Sequence, residues 1–168
     1  MLSVFLLALT HRLDAGARLG DLVWLYPIGV LMWTLIEYLL HRYVFHGEFS
    51  HPRFRRLVYS SHSQHHETPR NAEHILVRTL NGLVVSGLLY GIAMALTGRL
   101  FWTAGIMSGV WTGFLYYEYV HYSVHFTNGN SLLLAKQRRA HFHHHFTNPG
   151  VCFGVTTPIW DHVFGTNR

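Results

Sequence analysis

The chain has 168 residues, of which 49% are hydrophobic and 12% charged, and its formal net charge is +5. This length is enough for one domain and short for two, so we expect a single domain over residues 1–168. The excess of positive charge does not indicate nucleic-acid binding, because so apolar a chain lacks the polar basic face of such proteins. A single cysteine, Cys152, excludes an internal disulfide and a cysteine-based zinc or iron–sulfur site in a monomer.

Apolar stretches dominate the first part of the chain and its middle. Residues 1–9 cover only about half a bilayer at about 1.5 Å per residue, which favours a short interfacial or re-entrant helix over a signal sequence. Residues 22–40, 75–97 and 100–120 are each long enough to span a membrane as helices. Three such runs are too many for a soluble core in so short a chain. The sequence therefore predicts an all-α integral membrane protein with about three spans and a short N-terminal helix.

The two polar segments, residues 41–73 and 121–168, are predicted to lie on the same side of the membrane. The tight turn at residues 97–99 joins the second and third spans, and this brings both segments to one face. They hold most of the lysine and arginine residues, so the positive-inside rule assigns them to the cytoplasm. We expect a cytoplasmic helical cap, and we favour a bacterial inner membrane over the endoplasmic reticulum.

Histidines are concentrated in four clusters within these polar segments. His41 and His46 are five residues apart, so they can face one metal ion only if the helix ends or unwinds between them. The offsets of three and four in the second and fourth clusters return to one helical face, as does the i, i+4 spacing of the third. His143 falls on the opposite face from its neighbours. The ten candidate ligands are His41, His46, His62, His65, His66, His121, His125, His141, His144 and His145.

Ten imidazoles would offer about five nitrogens to each of two metal ions and leave positions for water or oxygen. Neutral imidazole suits iron, zinc, copper and nickel. The alternative is a set of solvated histidines on a basic, lipid-binding surface. Four clusters on one side of a membrane favour the metal site. For the four remaining histidines the sequence favours no metal-binding role; they are His11, His51, His74 and His162.

Acidic and basic residues near the clusters are candidates for supporting roles. Glu37 lies one turn before His41, and Glu118 lies three residues before His121. Metal-bound histidines usually donate their second ring N–H to a carboxylate or carbonyl. We therefore expect Glu37 and Glu118 to support metal-bound histidines in this way, with Asp161 as a weaker candidate. Five arginines are candidates for binding a lipid head group, either of the substrate or of the surrounding anionic lipid: Arg53, Arg55, Arg56, Arg138 and Arg139.

Taken together, these motifs resemble the fatty acid hydroxylase / sterol desaturase superfamily. The resemblance rests on the stretch 33–42 with His46, H-x-x-H-H at 62–66, H-x-x-x-H at 121–125 and H-x-x-H-H at 141–145. The closing residues 153–166 look like the fatty acid 2-hydroxylase branch in particular. The resemblance implies a fatty acid hydroxylase-like membrane domain holding two metal ions. Iron is the expected metal, and zinc could occupy the site on isolation.

The same resemblance implies an O2-dependent oxidoreductase that hydroxylates a fatty acyl chain or lipid with external electrons. The chain contains no His-Pro-Gly-Gly motif of a cytochrome b5 domain, so we expect a separate electron donor, cytochrome b5-like or ferredoxin-like. Related hydroxylases or desaturases acting on a sterol, carotenoid or amino-lipid would share every histidine. A non-enzymatic metal carrier or bis-histidine haem protein is the alternative of another class. A carrier should place ligands near the middle of the bilayer, and no histidine lies inside a predicted span.

Overall fold

The structure is a computed structural model that describes residues 9–10, 12, 14, 16–75, 79–127 and 132–168. The described part of the chain is helical and contains no β-strand. The prediction of a short N-terminal helix falls on residues 1–9, and all but the last of these lie outside the described residues. The α-helices are α1 (Leu22–Leu39), α2 (Pro52–Val58), α3 (Gln64–Glu67), α4 (Thr79–Thr97), α5 (Leu100–Phe126), α6 (Leu132–Phe146) and α7 (Ile159–Val163).

Short turns of other helix types separate the α-helices. A 3₁₀ turn at Leu19–Asp21 precedes α1, and a second one at Ala72–His74 follows α3. Two π-helical turns occupy Leu40–Phe45, directly after α1, and Tyr59–Ser63, between α2 and α3. Single π-helical turns are rare and often mark functional sites. Each of these two carries a histidine of the predicted metal site.

Helix boundaries follow local sequence signals. Pro52 begins α2, where its missing N–H costs nothing, and the His51 side chain accepts a hydrogen bond from the Arg53 N–H at 3.3 Å. Gly98, with φ of 62°, ends α4 and starts the predicted tight turn into α5. Helix α5 continues six residues beyond the predicted end of the third span, to Phe126, because nothing in residues 121–126 breaks a helix. It therefore carries His121 and His125 one turn apart, as their i, i+4 spacing predicts.

The chain forms two compact units, Met1–Trp33 with Thr79–Leu115, and Thr34–Arg78 with Tyr116–Arg168. In the first unit, α1 and α5 approach at glycines. A methyl group added to Gly29 would collide with the backbone carbonyl of Ile106, and one added to Gly109 would collide with the carbonyl of Tyr26. Small residues permit such close helix contact in membrane proteins.

The outer surface of the first unit is apolar. Trp24 is 72% exposed and Leu96 79% exposed, and Val23, Leu83 and Leu88 are similarly open. The segment Leu19–Phe45 is the one helix within the described ranges that is long and apolar enough to cross a bilayer; Asn81–Thr97 is a shorter apolar helix. The number of spans thus stays a prediction.

The second unit contains all the histidine clusters. Its small apolar core is formed by Val120 and Val124 of α5 and Val155 of the segment before α7, with Tyr117 and Leu134 packed against them. The core therefore fixes the last turns of α5 and the C-terminal segment around the histidines.

Candidate metal centre

The π-helical turn after α1 brings together two histidines that an α-helix would separate. The His46 N–H donates to the His41 carbonyl oxygen at 3.2 Å, an i→i+5 hydrogen bond. This bond closes about one turn between residues five apart, so the two imidazoles share a face. Their ring centroids lie 5.1 Å apart. The unwinding that the spacing requires is therefore present.

Five imidazoles converge in the first group of histidines. The Nε2 atom of His62 lies 3.2 Å from that of His41, 3.0 Å from that of His46 and 2.9 Å from that of His66. The Nε2 atoms of His144 and His46 are 3.0 Å apart. The first group consists of His41, His46, His62, His66 and His144.

A second group of five lies in the same unit. The Nε2 atoms of His121 and His65 are 3.0 Å apart, and those of His125 and His141 are 2.8 Å apart. Helices α5 and α6 each contribute two members, and α3 contributes the fifth. The second group consists of His65, His121, His125, His141 and His145.

The two H-x-x-H-H motifs are divided between the groups. His62 and His66 belong to the first group and His65 to the second, whereas His144 belongs to the first group and its neighbour His145 to the second. Adjacent residues on a helix point about 100° apart, so one motif can reach two ions on either side of it. His143 belongs to neither group.

The spacing of the ring nitrogens fits metal coordination better than hydrogen bonding. Each neutral imidazole carries one N–H, so the His62 Nε2 atom cannot hydrogen-bond to three other Nε2 atoms at once. Nitrogens about 2.1 Å from one ion and at right angles to each other lie about 3.0 Å apart. The observed separations match that value. All-imidazole groups with five members suit iron or zinc.

Burial keeps these imidazoles neutral, which is the form that binds metals. Burial, with the neighbouring His144 and His46, lowers the pKa of His66 to about 3. Burial also lowers the pKa of His144 to about 4, and burial with His121 and His125 lowers that of His65 to about 2. The ordinary value is 6.5. Neutral imidazoles at physiological pH therefore require no proton loss before a metal binds.

Two of the expected supporting carboxylates hold the segment Val151–Thr156, here called the C-terminal loop. The backbone N–H groups of Val155 and Thr156 donate to Glu37 Oε1 at 2.7 and 2.9 Å. Those of Phe153 and Gly154 donate to the Asp161 carboxylate at 2.8 and 2.9 Å. Glu37 and Asp161 thus bond to the loop rather than directly to a histidine. Glu118 lies partly buried on α5, one turn before His121.

The C-terminal loop turns sharply at Cys152. Its φ of 56° is uncommon for a residue with a side chain and costs about 1–2 kcal/mol. The Cys152 N–H donates to the Thr166 carbonyl oxygen at 2.7 Å, which helps to hold this conformation. The turn lets two loop carbonyls accept hydrogen bonds from histidines: Phe153 from His41 Nδ1 at 2.5 Å, and Val151 from His144 Nδ1 at 2.8 Å. No signal in the sequence pointed to this arrangement.

The arginines predicted to bind lipid head groups lie on two helices, α2 and α6. Arg53, Arg55 and Arg56 are exposed on α2, and Arg139 is exposed on α6. Arg138, also on α6, donates from Nη2 to the Ser123 carbonyl oxygen at 3.2 Å. The histidines expected to have no metal-binding role lie outside both groups: His51 caps α2, the His74 Nδ1 atom is 2.8 Å from the Thr68 hydroxyl, and the His162 Nδ1 atom is 2.8 Å from Asn167 Nδ2. His11 lies outside the described residues.

An open cavity of about 700 Å³ adjoins the second group at His125. The aromatic rings of Phe142 and Phe146 form one wall, and a loop with Pro69 and Arg70 forms another. The cavity therefore combines apolar walls, a cation and an edge of the candidate metal centre. Its remaining lining residues are Thr68 and Asn71.

Comparison with known proteins places these features in a family. A model of the fatty acid hydroxylase family matches residues 26–166. The chain is 29% identical over 154 residues to the ceramide very long chain fatty acid hydroxylase scs7 of Schizosaccharomyces pombe, covering 90% of this chain and 44% of that protein. It is 31% identical to the fatty acid 2-hydroxylase of Rattus norvegicus, covering 86% of this chain and 39% of the relative.

Two further matches cover more of the compared proteins. The dihydroceramide fatty acyl 2-hydroxylase FAH1 of Arabidopsis thaliana is 27% identical, over 98% of this chain and 69% of the relative. A solved structure described as full length scs7p, in which only the hydroxylase domain is visible, superposes with a TM-score of 0.87 at 27% identity. That match covers 98% of this chain and 62% of the solved one. The chain thus spans from about two fifths to about two thirds of the proteins it matches.

Proposed function

Because the chain belongs to the fatty acid hydroxylase family, we propose that it is a membrane-bound dimetal oxygenase that hydroxylates a fatty acyl chain of a lipid. The observation that carries the proposal is the pair of five-histidine groups in one unit. Iron is the metal that suits the chemistry. The reaction converts a C–H bond, O2, two electrons and two protons into a C–OH group and water.

The acyl position next to the carbonyl is the proposed site of hydroxylation. The relatives from rat and Arabidopsis are named 2-hydroxylases, and those from Arabidopsis and Schizosaccharomyces pombe are named for ceramide or dihydroceramide substrates. The substrate class is therefore a fatty acid or its sphingolipid amide. Bound iron would supply oxygen activation; the residues of the chain hold the ions, orient the ligands and receive the lipid.

The cavity at His125 is the proposed approach for the reacting part of the lipid. Phe142 and Phe146 offer apolar surface to an acyl chain, and Arg70 offers a cation to its polar end. The aromatic side chains would limit the water around the reacting part of the lipid, which reduces side reactions. The exposed arginines of α2 are proposed to contact lipid head groups at the membrane surface.

We further propose three membrane spans with the histidine-bearing unit on the cytoplasmic side. The apolar outer surface of α1 and α4 and the one helix of sufficient length and hydropathy support membrane insertion. The basic residues next to the candidate spans support the orientation. Electrons are proposed to come from a cytochrome b5-like or ferredoxin-like donor.

The test is a lipid analysis under ¹⁸O2. Cells that express the wild-type chain should produce 2-hydroxy fatty acyl lipids that carry one labelled oxygen atom. Cells that express His144→Ala should not, whereas His143→Ala should retain product, because His143 belongs to neither group. Label in a sterol or carotenoid instead, or no product dependent on His144, would contradict acyl hydroxylation.

A further inference from the structure

The two groups of histidines differ in what holds their rings in place. In the first group, Nδ1–H of His41 donates to the Phe153 carbonyl oxygen, and Nδ1–H of His144 donates to that of Val151. A carbonyl oxygen only accepts, so the proton must lie on Nδ1. The Nε2 lone pair is then fixed toward the centre of the group, which is the tautomer a metal requires.

The second group has no comparable support among the residues that the structure describes. The Nδ1 atoms of four of its five members are buried and have no hydrogen-bond partner there. Either tautomer is therefore available to these rings, and a metal ion would have to select one. The four members are His65, His121, His141 and His145.

A chain of side-chain hydrogen bonds fixes the Phe153 carbonyl, which supports His41. Arg42 Nη1 donates to the Tyr38 hydroxyl at 2.8 Å, and the Thr166 hydroxyl donates to Asp161 Oδ1 at 2.8 Å. The Tyr38 and Thr166 hydroxyl oxygens are 2.9 Å apart. Thr166 uses its only proton on the carboxylate, so Tyr38 must donate to Thr166. Each proton in this chain thus points toward Asp161.

Asp161 connects this chain of hydrogen bonds to the C-terminal loop. It is 2% exposed, and it accepts the N–H groups of Phe153 and Gly154 in addition to the Thr166 hydroxyl. Gly154 fits tightly against it, since an added methyl group would lie 2.8 Å from Asp161 Oδ2. The peptide between Phe153 and Gly154 therefore has its N–H bound to Asp161 and its carbonyl bound to His41.

We propose that Arg42, Tyr38, Thr166 and Asp161 form a positioning network for the first metal site, and that the two metal sites consequently differ in affinity. The network acts on His41 through the peptide between Phe153 and Gly154. It reaches His144 through the Thr166 carbonyl, which accepts the Cys152 N–H of the peptide whose Val151 carbonyl binds His144. It touches neither ion. The first site binds more tightly because the tautomers of two of its five ligands, His41 and His144, are fixed before the metal arrives. This inference rests on the proposed dimetal centre and adds that its two sites bind metal with different affinities.

The experiment measures Zn²⁺ affinity of the purified full chain in detergent by competition with a chromophoric chelator. Wild-type protein should release two ions at separate chelator strengths. Thr166→Val breaks the chain of hydrogen bonds and should weaken the tighter site 10–100-fold, the usual effect of losing an outer-shell partner, while the weaker site is unchanged. Thr166→Ser keeps the hydroxyl and should restore wild-type affinity.

A matched control is Thr112→Val, because the exposed Thr112 hydroxyl bonds only to the Ser108 carbonyl of its own helix, at 2.9 Å. This variant should bind both ions as the wild type does. Cobalt substitution supplies a second readout: the visible spectrum of one Co²⁺ ion should change in Thr166→Val and that of the other should not. A merely structural defect would alter both sites together.

Three results separate the possible failures. Two ions bound with equal affinity, and unaffected by Thr166→Val, would overturn the inequality and leave the proposed function intact. Wild-type protein that binds no metal would overturn the proposed function itself. If Thr166→Val loses both ions by unfolding, Tyr38→Phe is the second test of the network. Unchanged metal binding at both sites in Tyr38→Phe would refute the network, and selective weakening of the tighter site would support it.

Discussion

Replacement of Glu37 by leucine should destabilise the protein by removing acceptors for a loop that supports the first group of histidines. The carboxylate, 4% exposed, accepts the N–H groups of Val155 and Thr156 and, at 2.5 Å, the Thr156 hydroxyl. Each buried N–H left without a partner costs about 1–3 kcal/mol. The two N–H groups together cost about 4 kcal/mol. The Thr156 hydroxyl adds nothing to this sum, because it can rotate to another acceptor.

Glu37→Gln is the graded comparison. Its amide oxygen can still accept both N–H groups, and its amide nitrogen can donate to the Thr156 hydroxyl oxygen in place of the bond that Oε2 accepts. The loss is therefore mainly the strengthening by the negative charge, and we expect a cost of about 1–2 kcal/mol. Glu48→Gln is the matched control, because Glu48 is exposed and a surface substitution changes stability by about 0.5 kcal/mol or less.

The assay is thermal unfolding of purified protein in detergent. For a chain of this size, 1 kcal/mol shifts the melting temperature by about 2–4 °C. We therefore expect a loss of about 10 °C for Glu37→Leu, about 4 °C for Glu37→Gln and no measurable loss for Glu48→Gln. Equal melting temperatures for the leucine and glutamine variants would show that Glu37 does not support the loop through these hydrogen bonds.

Two further predictions concern the helices and the histidines. Gly29→Ala should lower the free energy of unfolding by about 1–3 kcal/mol or more, because the added methyl group meets the Ile106 carbonyl. Gly91→Ala should raise it by about 1 kcal/mol, because a methyl group there meets no atom within 4 Å. Chemical denaturation of both variants measures this, and equal effects would refute the close contact. The pKa values of His66, about 3, and His144, about 4, lie below the ordinary 6.5, so the unfolded chain binds more protons than the folded one between these values. Metal-free protein should accordingly lose stability as the pH falls from about 6.5 toward 4, and melting curves that do not change over this range would contradict the burial of these rings.

The spacing of the histidines carried most of the information about the candidate site. It indicated that His41 and His46 need an unwound segment between them, and a π-helical turn is found there. It could not show that each H-x-x-H-H motif serves two groups. That division depends on where the other helices place their rings, because residues at offsets of three and four can converge on an ion from either side.

The supporting hydrogen bonds were beyond sequence reasoning for a different reason. Tyr38 and Thr166 are 128 residues apart and are ordinary residue types without a motif, so nothing local indicates their contact. Glu37 was expected near a histidine from its position one turn before His41. Glu37 contacts no histidine directly, because the C-terminal loop lies between its carboxylate and the His41 ring.

Fold class was predictable where periodicity and length were strong. Long apolar runs predicted the helices α1, α4 and α5, and the Thr97–Gly98–Arg99 turn between the last two was readable from its glycine. The i, i+4 spacing of His121 and His125 indicated that the helix continues past the predicted span, and α5 does continue to Phe126. A change from apolar to polar residues marks a membrane boundary and not a helix end.

Metal content is the most direct test of the claim that ten histidines form two metal sites. Purified wild-type protein, reconstituted with Fe²⁺ under anaerobic conditions and freed of excess metal, should contain about two ions per chain by inductively coupled plasma mass spectrometry. His143→Ala, outside both groups, should match it, and His144→Ala should lose most of the metal. A content that does not depend on His144, or wild-type protein that retains no metal, would contradict the account.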